Sequence, residues 1–203
     1  MSLNNIKQLF GDLIDWAKSQ EVGQAYEASL LPPATDEQIQ EYEQQSGMTL
    51  PEPLKVIYRI CNGQTEDLTF ESNPELEGVE IGLFPSSEEF ELAYMLVPLS
   101  QLVSNTPMTE PEDEDDCNRM PGYELGWIGF GDNYGGDNIV LDMSPKTPES
   151  QRGRILLFNH EYAQATELAP SLEQYLQDIM DQIKCGKIAY DEDLGIAYTQ
   201  EDE

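Results

Sequence analysis

The chain has 203 residues, a length typical of one domain. Asp and Glu total 40 against 10 Lys and Arg, so the formal net charge is −30. Because phosphate binding needs a cationic surface and anionic membranes repel acidic chains, this charge argues against nucleic-acid and membrane partners. A hydrophobic fraction of 39% with 15 glycines predicts a folded protein rather than a disordered polyanion.

The N-terminus and the cysteines favour a cytoplasmic protein. The first sixteen residues lack a basic region and an uninterrupted apolar run, so we expect no secretory signal. Cys61, Cys117 and Cys185 are widely spaced and form no Cys-x-x-Cys pair. This pattern predicts incidental thiols in a reducing compartment, without a disulfide framework or a zinc site.

Three helices are predicted in the first third of the chain. Apolar residues recur at helical spacing over 3–20, inside a predicted N-terminal helical extension over 1–29. A capping box over Thr35–Gln38 begins the second helix, and Gly47 ends it. The third helix opens at Leu50-Pro51 and closes before Asn62-Gly63.

The middle of the chain is strongly acidic. Residues 60–118 contain fifteen acids and no Lys or Arg, which is half of the net charge. We expect Ser100 to Ser104 to form a helical turn and 106–122 to form a mobile surface loop. Short apolar segments between the acids predict strands: 68–70, 79–84 and 94–99.

The last third predicts a hairpin, a central strand and a helix. Apolar segments 127–130 and 138–141 flank a glycine-rich acidic turn, and 154–158 is apolar enough for a central strand. A capping sequence at Ser171 opens a helix that ends at Gly186, and 187–203 is predicted to be an acidic tail. Helices at both ends with strands between them indicate the α+β class.

Two stretches of the sequence together carry a family resemblance through the order and spacing of their motifs. The first contains Leu31–Ile39, Glu43, Gly47, Leu50-Pro51 and Asn62-Gly63. The second contains Trp127-Ile128, Gly131-Asp132, Gly136–Asn138, Leu141-Asp142, Ile155–His160, Ala169–Leu172 and Tyr175-Leu176. This arrangement resembles the SUKH superfamily, which joins fungal regulators of cell-wall synthesis to bacterial immunity proteins of polymorphic toxin systems.

The resemblance implies a Smi/Knr-like domain over 30–186. Its expected fold is a single α+β domain, with a mostly antiparallel central sheet flanked by N-terminal helices and a C-terminal helix. The resemblance implies no catalytic activity, and we also expect no cofactor. Acidic segments near 66–94 and 106–122 are expected to be insertions into this domain.

Metal binding and nucleophilic catalysis are weaker interpretations of the same residues. Asp132 could open a calcium loop, but the third, fifth and twelfth positions are then Tyr134, Gly136 and Met143, which do not fit an EF-hand. We therefore expect the acidic side chains of this region to cap turns and to bind no metal. His160 is the only histidine, and a structural role is expected for it. Trp127 begins an apolar strand and is predicted to lie in the core.

These patterns predict a non-enzymatic, cytoplasmic immunity protein that binds a basic toxin domain, because concentrated negative charge steers a basic partner. A regulatory scaffold in cell-wall synthesis is the alternative, and an acidic hydrolase with paired carboxylates is a third class. A monomer is expected because a charge of −30 opposes self-association. Partner attraction is assigned to one loop and contact to one turn: Glu110, Glu112, Asp113, Glu114, Asp115 and Asp116 in the loop, and Asp132, Tyr134 and Asp137 in the turn.

Overall fold

The order of helices and strands follows the predicted α+β plan. A computed structural model describes residues 2–65, 81–85, 93–102, 126–162, 164–191 and 193–199. The helices are α1 Leu3–Lys18, α2 Gly23–Ser29, α3 Asp36–Ser46, α4 Glu52–Tyr58, α5 Leu99–Leu102 and α6 Leu172–Lys184. The strands are β1 Met95–Leu96, β2 Trp127–Asp132, β3 Asn138–Asp142, β4 Ile155–Asn159, β5 Gln164–Ala169, β6 Ile188–Asp191 and β7 Gly195–Tyr198.

Five strands form one antiparallel sheet in chain order, β1-β2-β3-β4-β5. The predicted hairpin is β2 and β3, whose register pairs Ile128 with Leu141. The predicted central strand is β4, which lies between β3 and β5 and is buried along its whole length. The α+β class and the antiparallel sheet are therefore confirmed.

The helices cover one face of the sheet, with α1 packed against α4 and α6. Because side chains alternate across a strand, Ile128, Leu141 and Ile155 point into the helical core while their neighbours point to the opposite face. That opposite face carries a second buried cluster. Its members are Trp127, Val140, Leu156 and Phe158. The predicted burial of Trp127 is confirmed.

The predicted helix signals operate as expected. Thr35 Oγ1 accepts a hydrogen bond from Gln38 N at 3.2 Å, and Gln38 Oε1 accepts from Thr35 N at 2.9 Å. Gly47 ends α3 with a φ of 67°, where glycine carries no steric penalty. Ser171 caps α6 through a hydrogen bond from Gln174 N. The capping box at Thr35 and the N-cap at Ser171 therefore mark where α3 and α6 begin.

Other segments differ from the sequence predictions. Helix α1 ends at Lys18, and a separate helix α2 follows that was not predicted. The predicted strand over 94–99 is limited to β1, with Tyr94 in an isolated bridge to Phe84. The predicted segments 68–70 and 106–122 lie outside the described residues.

The segment expected to be an acidic tail contains a β-hairpin. Strands β6 and β7 pair over Ile188 to Tyr198, and Ile188 and Ile196 are buried in the main core. Tyr190 and Tyr198 are partly buried against the same core, so the hairpin is held by packing of its apolar side chains against the helices and the sheet. In the part of the chain that the structure describes, no helix is long and apolar enough to cross a bilayer.

Candidate functional site

Two turns lie side by side at one end of the sheet. The first connects β2 to β3, and the second connects β4 to β5. Because successive strands are antiparallel, both turns lie at the same end of the strands. The backbone N–H of His160 in the second turn donates to Asp137 Oδ1 in the first, at 2.9 Å. We call residues 132–137 and 159–162 together the turn surface.

Side chains of the first turn hold its backbone in place. Asp132 Oδ1 accepts a hydrogen bond from Tyr134 N at 2.6 Å. Asn133 Oδ1 accepts from Gly135 N at 2.9 Å and from Asp137 N at 3.1 Å. Short polar side chains stabilise turns in this way because they reach backbone N–H groups two or more residues ahead. The predicted turn-capping role is confirmed for Asp132.

Tyr134 is presented outward by an unusual backbone conformation. Its φ is 56°, the one positive φ at a non-glycine residue in the described part of the chain. Such conformations carry strain and concentrate at functional sites. The side chain is 56% exposed. Tyr134 is therefore accessible at the turn, and its contact with a partner stays a prediction.

Tyr162 in the second turn was not singled out from the sequence. It is 68% exposed, and its backbone N–H donates to Asn159 Oδ1 at 2.8 Å. The signal was available, because a polar run with one tyrosine directly follows the apolar segment 155–158. Large exposed aromatic side chains are frequent anchors of protein interfaces. The turn surface thus carries two such side chains.

Asp137 does not lie on the outer face of the turn where the sequence placed it. It is 3% exposed, and its Oδ1 also lies 2.8 Å from His160 Nδ1. Its Oδ2 accepts from Asn159 Nδ2 at 3.4 Å. This buried carboxylate joins the two turns, so it positions the turn surface from beneath. The pairing fits the structural role expected for His160.

Asp142 lies at the opposite end of the sheet from Asp132 and Asp137. It is fully buried, with Oδ1 accepting from Ser144 N at 2.9 Å. Its Oδ2 accepts from Thr147 Oγ1 at 2.8 Å and from Arg154 Nε at 2.9 Å. The acids that are close in sequence are thus divided between two ends. Among the described residues, no group of three or more His, Cys, Asp or Glu could hold a metal ion.

Charges are distributed unevenly along the sheet. Glu161 is exposed and Asp132 partly exposed on the turn surface, whereas Asp137 is buried beneath it against His160. The turn surface contains no Lys or Arg. Lys146, Arg152 and Arg154 lie in the connection from β3 to β4, at the opposite end. The turn surface is therefore acidic and aromatic, which suits a basic partner. The six acids predicted to attract that partner, Glu110 to Asp116, lie outside the described residues.

Comparison with known families gives one match. A family model described as SMI1 / KNR4 family (SUKH-1) matches residues 33–178, which is over two thirds of the chain. The matched region begins just before α3 and ends inside α6, so it includes the whole antiparallel sheet and the turn surface. No curated protein matches the chain significantly.

Proposed function

Because the chain belongs to the SMI1 / KNR4 family (SUKH-1), we propose that it is a non-enzymatic immunity protein that neutralises a basic toxin by forming a stoichiometric complex. The observation that carries this proposal is the turn surface, where two exposed tyrosines stand beside acids without a Lys or Arg. The cytoplasmic location and the monomeric state expected from composition are part of the same proposal.

The charge of the chain supports a partner of opposite sign. A toxin that acts on nucleic acid needs a cationic surface to bind phosphates. An inhibitor with a net charge of −30 is attracted to such a surface at long range, and this attraction speeds the association of inhibitor and toxin. Tyr134 and Tyr162 then supply short-range contact, including contact with Lys or Arg side chains over the ring faces.

Binding measured as a function of salt tests the electrostatic part of this proposal. The partner is captured from the native host at low salt, identified, and titrated against the purified chain between low and high salt. We expect its affinity to fall steeply as salt rises, because counterions screen exposed charges over about 10 Å at 0.1 M. A partner with neutral charge, or an affinity that hardly responds to salt, would contradict the proposal.

Substitution of the exposed tyrosines tests the location of the contact. Tyr134→Ala and Tyr162→Ala should each weaken binding by about tenfold or more, the loss typical of an anchoring aromatic residue. Met143→Ala is the matched control, since Met143 is also a partly exposed apolar residue but lies at the other end of the sheet. Equal effects from all three variants would place the contact elsewhere.

The family match also supports a second candidate, a regulatory scaffold in cell-wall synthesis. The two candidates differ in what expression of the chain does in living cells. An immunity protein restores growth to cells that produce the captured partner, whereas a scaffold leaves such toxicity unchanged and alters cell-wall composition when it is deleted. Turnover of a glycan or ester substrate by the purified chain would contradict both.

A further inference from the structure

The two edge strands of the five-stranded sheet, β1 and β5, differ in whether their outer backbone groups are hydrogen-bonded. At the β1 edge, Gln64 N donates to Leu96 O at 2.8 Å and Gln64 Oε1 accepts from Leu96 N at 3.0 Å. Gln64 is 1% exposed, so this edge is occupied by a buried residue that bonds like a further strand. The β1 edge therefore offers no backbone groups at Leu96 to another chain.

The β5 edge is open. Its residues 164–168 are all exposed, whereas every residue of the neighbouring strand β4 is buried. Within the described ranges, the backbone of β5 makes hydrogen bonds to β4 on one side and none on the other. Because alternate residues of a strand direct their N–H and C=O groups to opposite sides, half of these groups face solvent.

We infer that β5 accepts an extended segment of a basic protein as a sixth strand of the sheet. The expectation that the partner is basic rests on the proposed function. The expectation that β5 accepts a strand rests on the unpaired backbone groups of β5. Addition of a strand to an exposed edge is an established mode of peptide recognition, in which main-chain hydrogen bonds supply affinity and side chains supply specificity.

The acids beside β5 favour a basic segment over a second copy of this chain. Glu161 precedes the strand, and Glu167 lies within it with its side chain 49% exposed. Glu167 forms an ion pair with Arg154 at 3.4 Å, but Arg154 also pairs with the buried Asp142 at 2.9 Å. One positive charge is therefore shared between two carboxylates. A second copy would bring its own Glu167 and a further charge of −30 to this edge.

The sheet register sets the length of the accepted segment. Ile155 pairs with Ala169 and Leu156 pairs with Glu167, so Leu168 is an extra residue that interrupts regular pairing. Regular pairing therefore covers Gln164 to Glu167. Tyr162, two residues before the strand, is 68% exposed, and we expect a Lys or Arg at the end of the segment to pack on its ring.

A synthetic peptide tests the edge without the natural partner. The probe is a peptide of about ten residues that alternates Thr and Lys, and the control is the same peptide methylated on every backbone nitrogen. Binding to the isotope-labelled full chain is followed by NMR. We expect the probe to slow amide exchange in residues 164–167, and the control to bind about tenfold or more weakly because it cannot donate backbone hydrogen bonds.

Proline substitution gives a second readout on the protein. Ala165 and Thr166 are adjacent, so one directs its N–H toward β4 and the other directs its N–H to solvent. Of Ala165→Pro and Thr166→Pro, the one at the solvent-facing position removes an edge donor without breaking the ladder to β4. The proline variant with the melting temperature of the wild type is the one at the solvent-facing position, and it should no longer bind the probe peptide. Ala165→Val and Thr166→Val should still bind it.

Equal binding of probe and methylated control, or exchange protection confined to the turn surface, would overturn the inference. Failure of the proposed function is distinguishable from that result. Protection of β5 by the peptide together with a natural partner that is not basic would retain the acceptor edge and reject the proposed function.

Discussion

Arg154 pairs with a fully buried carboxylate, that of Asp142, at 2.9 Å. Its guanidinium lies between Asp142 on β3 and Glu167 on β5, so three charged side chains form a row across adjacent strands. A buried carboxylate is stable only when a counter-charge and hydrogen bonds replace water. Ser144 N and Thr147 Oγ1 supply those hydrogen bonds to Asp142.

Loss of Arg154 is predicted to be much more harmful than loss of an exposed arginine. Arg154→Met should lower the free energy of unfolding by about 3 kcal/mol, because Asp142 would then be a buried charge without a counter-ion. Arg59→Met is the matched control, since Arg59 pairs with Asp36 on the surface and should change stability by less than about 1 kcal/mol. Urea unfolding at pH 7 measures both. Similar small changes would refute the role of Arg154.

Gly136 determines how closely the two turns approach. Its φ is 101°, and a Cβ placed there would lie 2.8 Å from His160 Nδ1. A side chain at this position therefore disturbs both the backbone and the contact of His160 with Asp137.

Gly136→Ala and Gly153→Ala separate these two effects. Gly153 also has a positive φ, 89°, but a Cβ there meets nothing within 4 Å. Gly153→Ala should lower the free energy of unfolding by about 1 kcal/mol, from backbone strain alone. Gly136→Ala should cost more and should shift the imidazole NMR signals of His160. Equal losses of stability with unchanged imidazole signals would contradict this account.

At the residue level, local chemistry was predictable and long-range burial was not. Asp132 and Tyr134 could be placed in a turn because glycines and short polar residues surround them. The burial of Asp137 depends on Asn159 and His160, which lie more than twenty residues further along the chain. No spacing rule within the turn indicates that contact.

At the level of elements, helices with strong end signals were predicted well. Thr35 and Ser171 mark helix starts by side chains that accept backbone hydrogen bonds, and these signals are local. Helix α2 has no side-chain cap, and its seven residues are too few for a periodic apolar pattern.

Strands at the edges were predicted poorly. Strand β5 is exposed on both faces for most of its length, so its sequence shows no alternation of apolar and polar residues. The hairpin of β6 and β7 is short and surrounded by acids, so composition favoured a tail. Tertiary contacts hold both elements, and those contacts have no local sequence signal.

Tyr58 links a helix to the sheet and makes stability depend on pH. Its hydroxyl in α4 donates to Val97 O next to β1, at 2.9 Å. Burial raises the pKa of Tyr58 well above 10. A raised pKa in the folded state means that this contribution to stability is complete below the unfolded pKa of about 10 and is lost as pH rises above it.

Tyr58→Phe should therefore reduce stability at pH 7 and reduce its loss at high pH. At pH 7 the lost hydrogen bond should cost about 1 kcal/mol. Between pH 10 and pH 11 the variant should lose less stability than the wild type, by up to about 1.4 kcal/mol, since one ionisation is removed. Leu54→Val in the same helix is the control, because its packing cost contains no ionisation. Parallel pH profiles for wild type and Tyr58→Phe would contradict the prediction.

At the scale of the whole molecule, acids greatly outnumber the bases that could pair with them. The described ion pairs use Lys18, Lys55, Arg59, Arg154 and Lys184, mostly at the surface. Even if every Lys and Arg paired with one acid, 30 of the 40 acids would have no basic partner of their own. Two like charges 10 Å apart repel by about 0.4 kcal/mol in water, and many such pairs oppose the compact state.

Salt should stabilise this protein, although salt weakens surface ion pairs. Raising NaCl from about 10 mM to about 0.5 M shortens the screening length from about 30 Å to a few ångströms, so repulsion among the acids is reduced more than the few ion pairs are weakened. We expect the free energy of unfolding in urea at pH 7 to rise by about 1 kcal/mol or more. KCl at equal ionic strength is the control, since screening depends on charge and concentration rather than on the identity of the cation. Stability that falls with both salts would mean that the ion pairs outweigh the repulsion, and a rise with only one salt would indicate a specific ion site instead of screening.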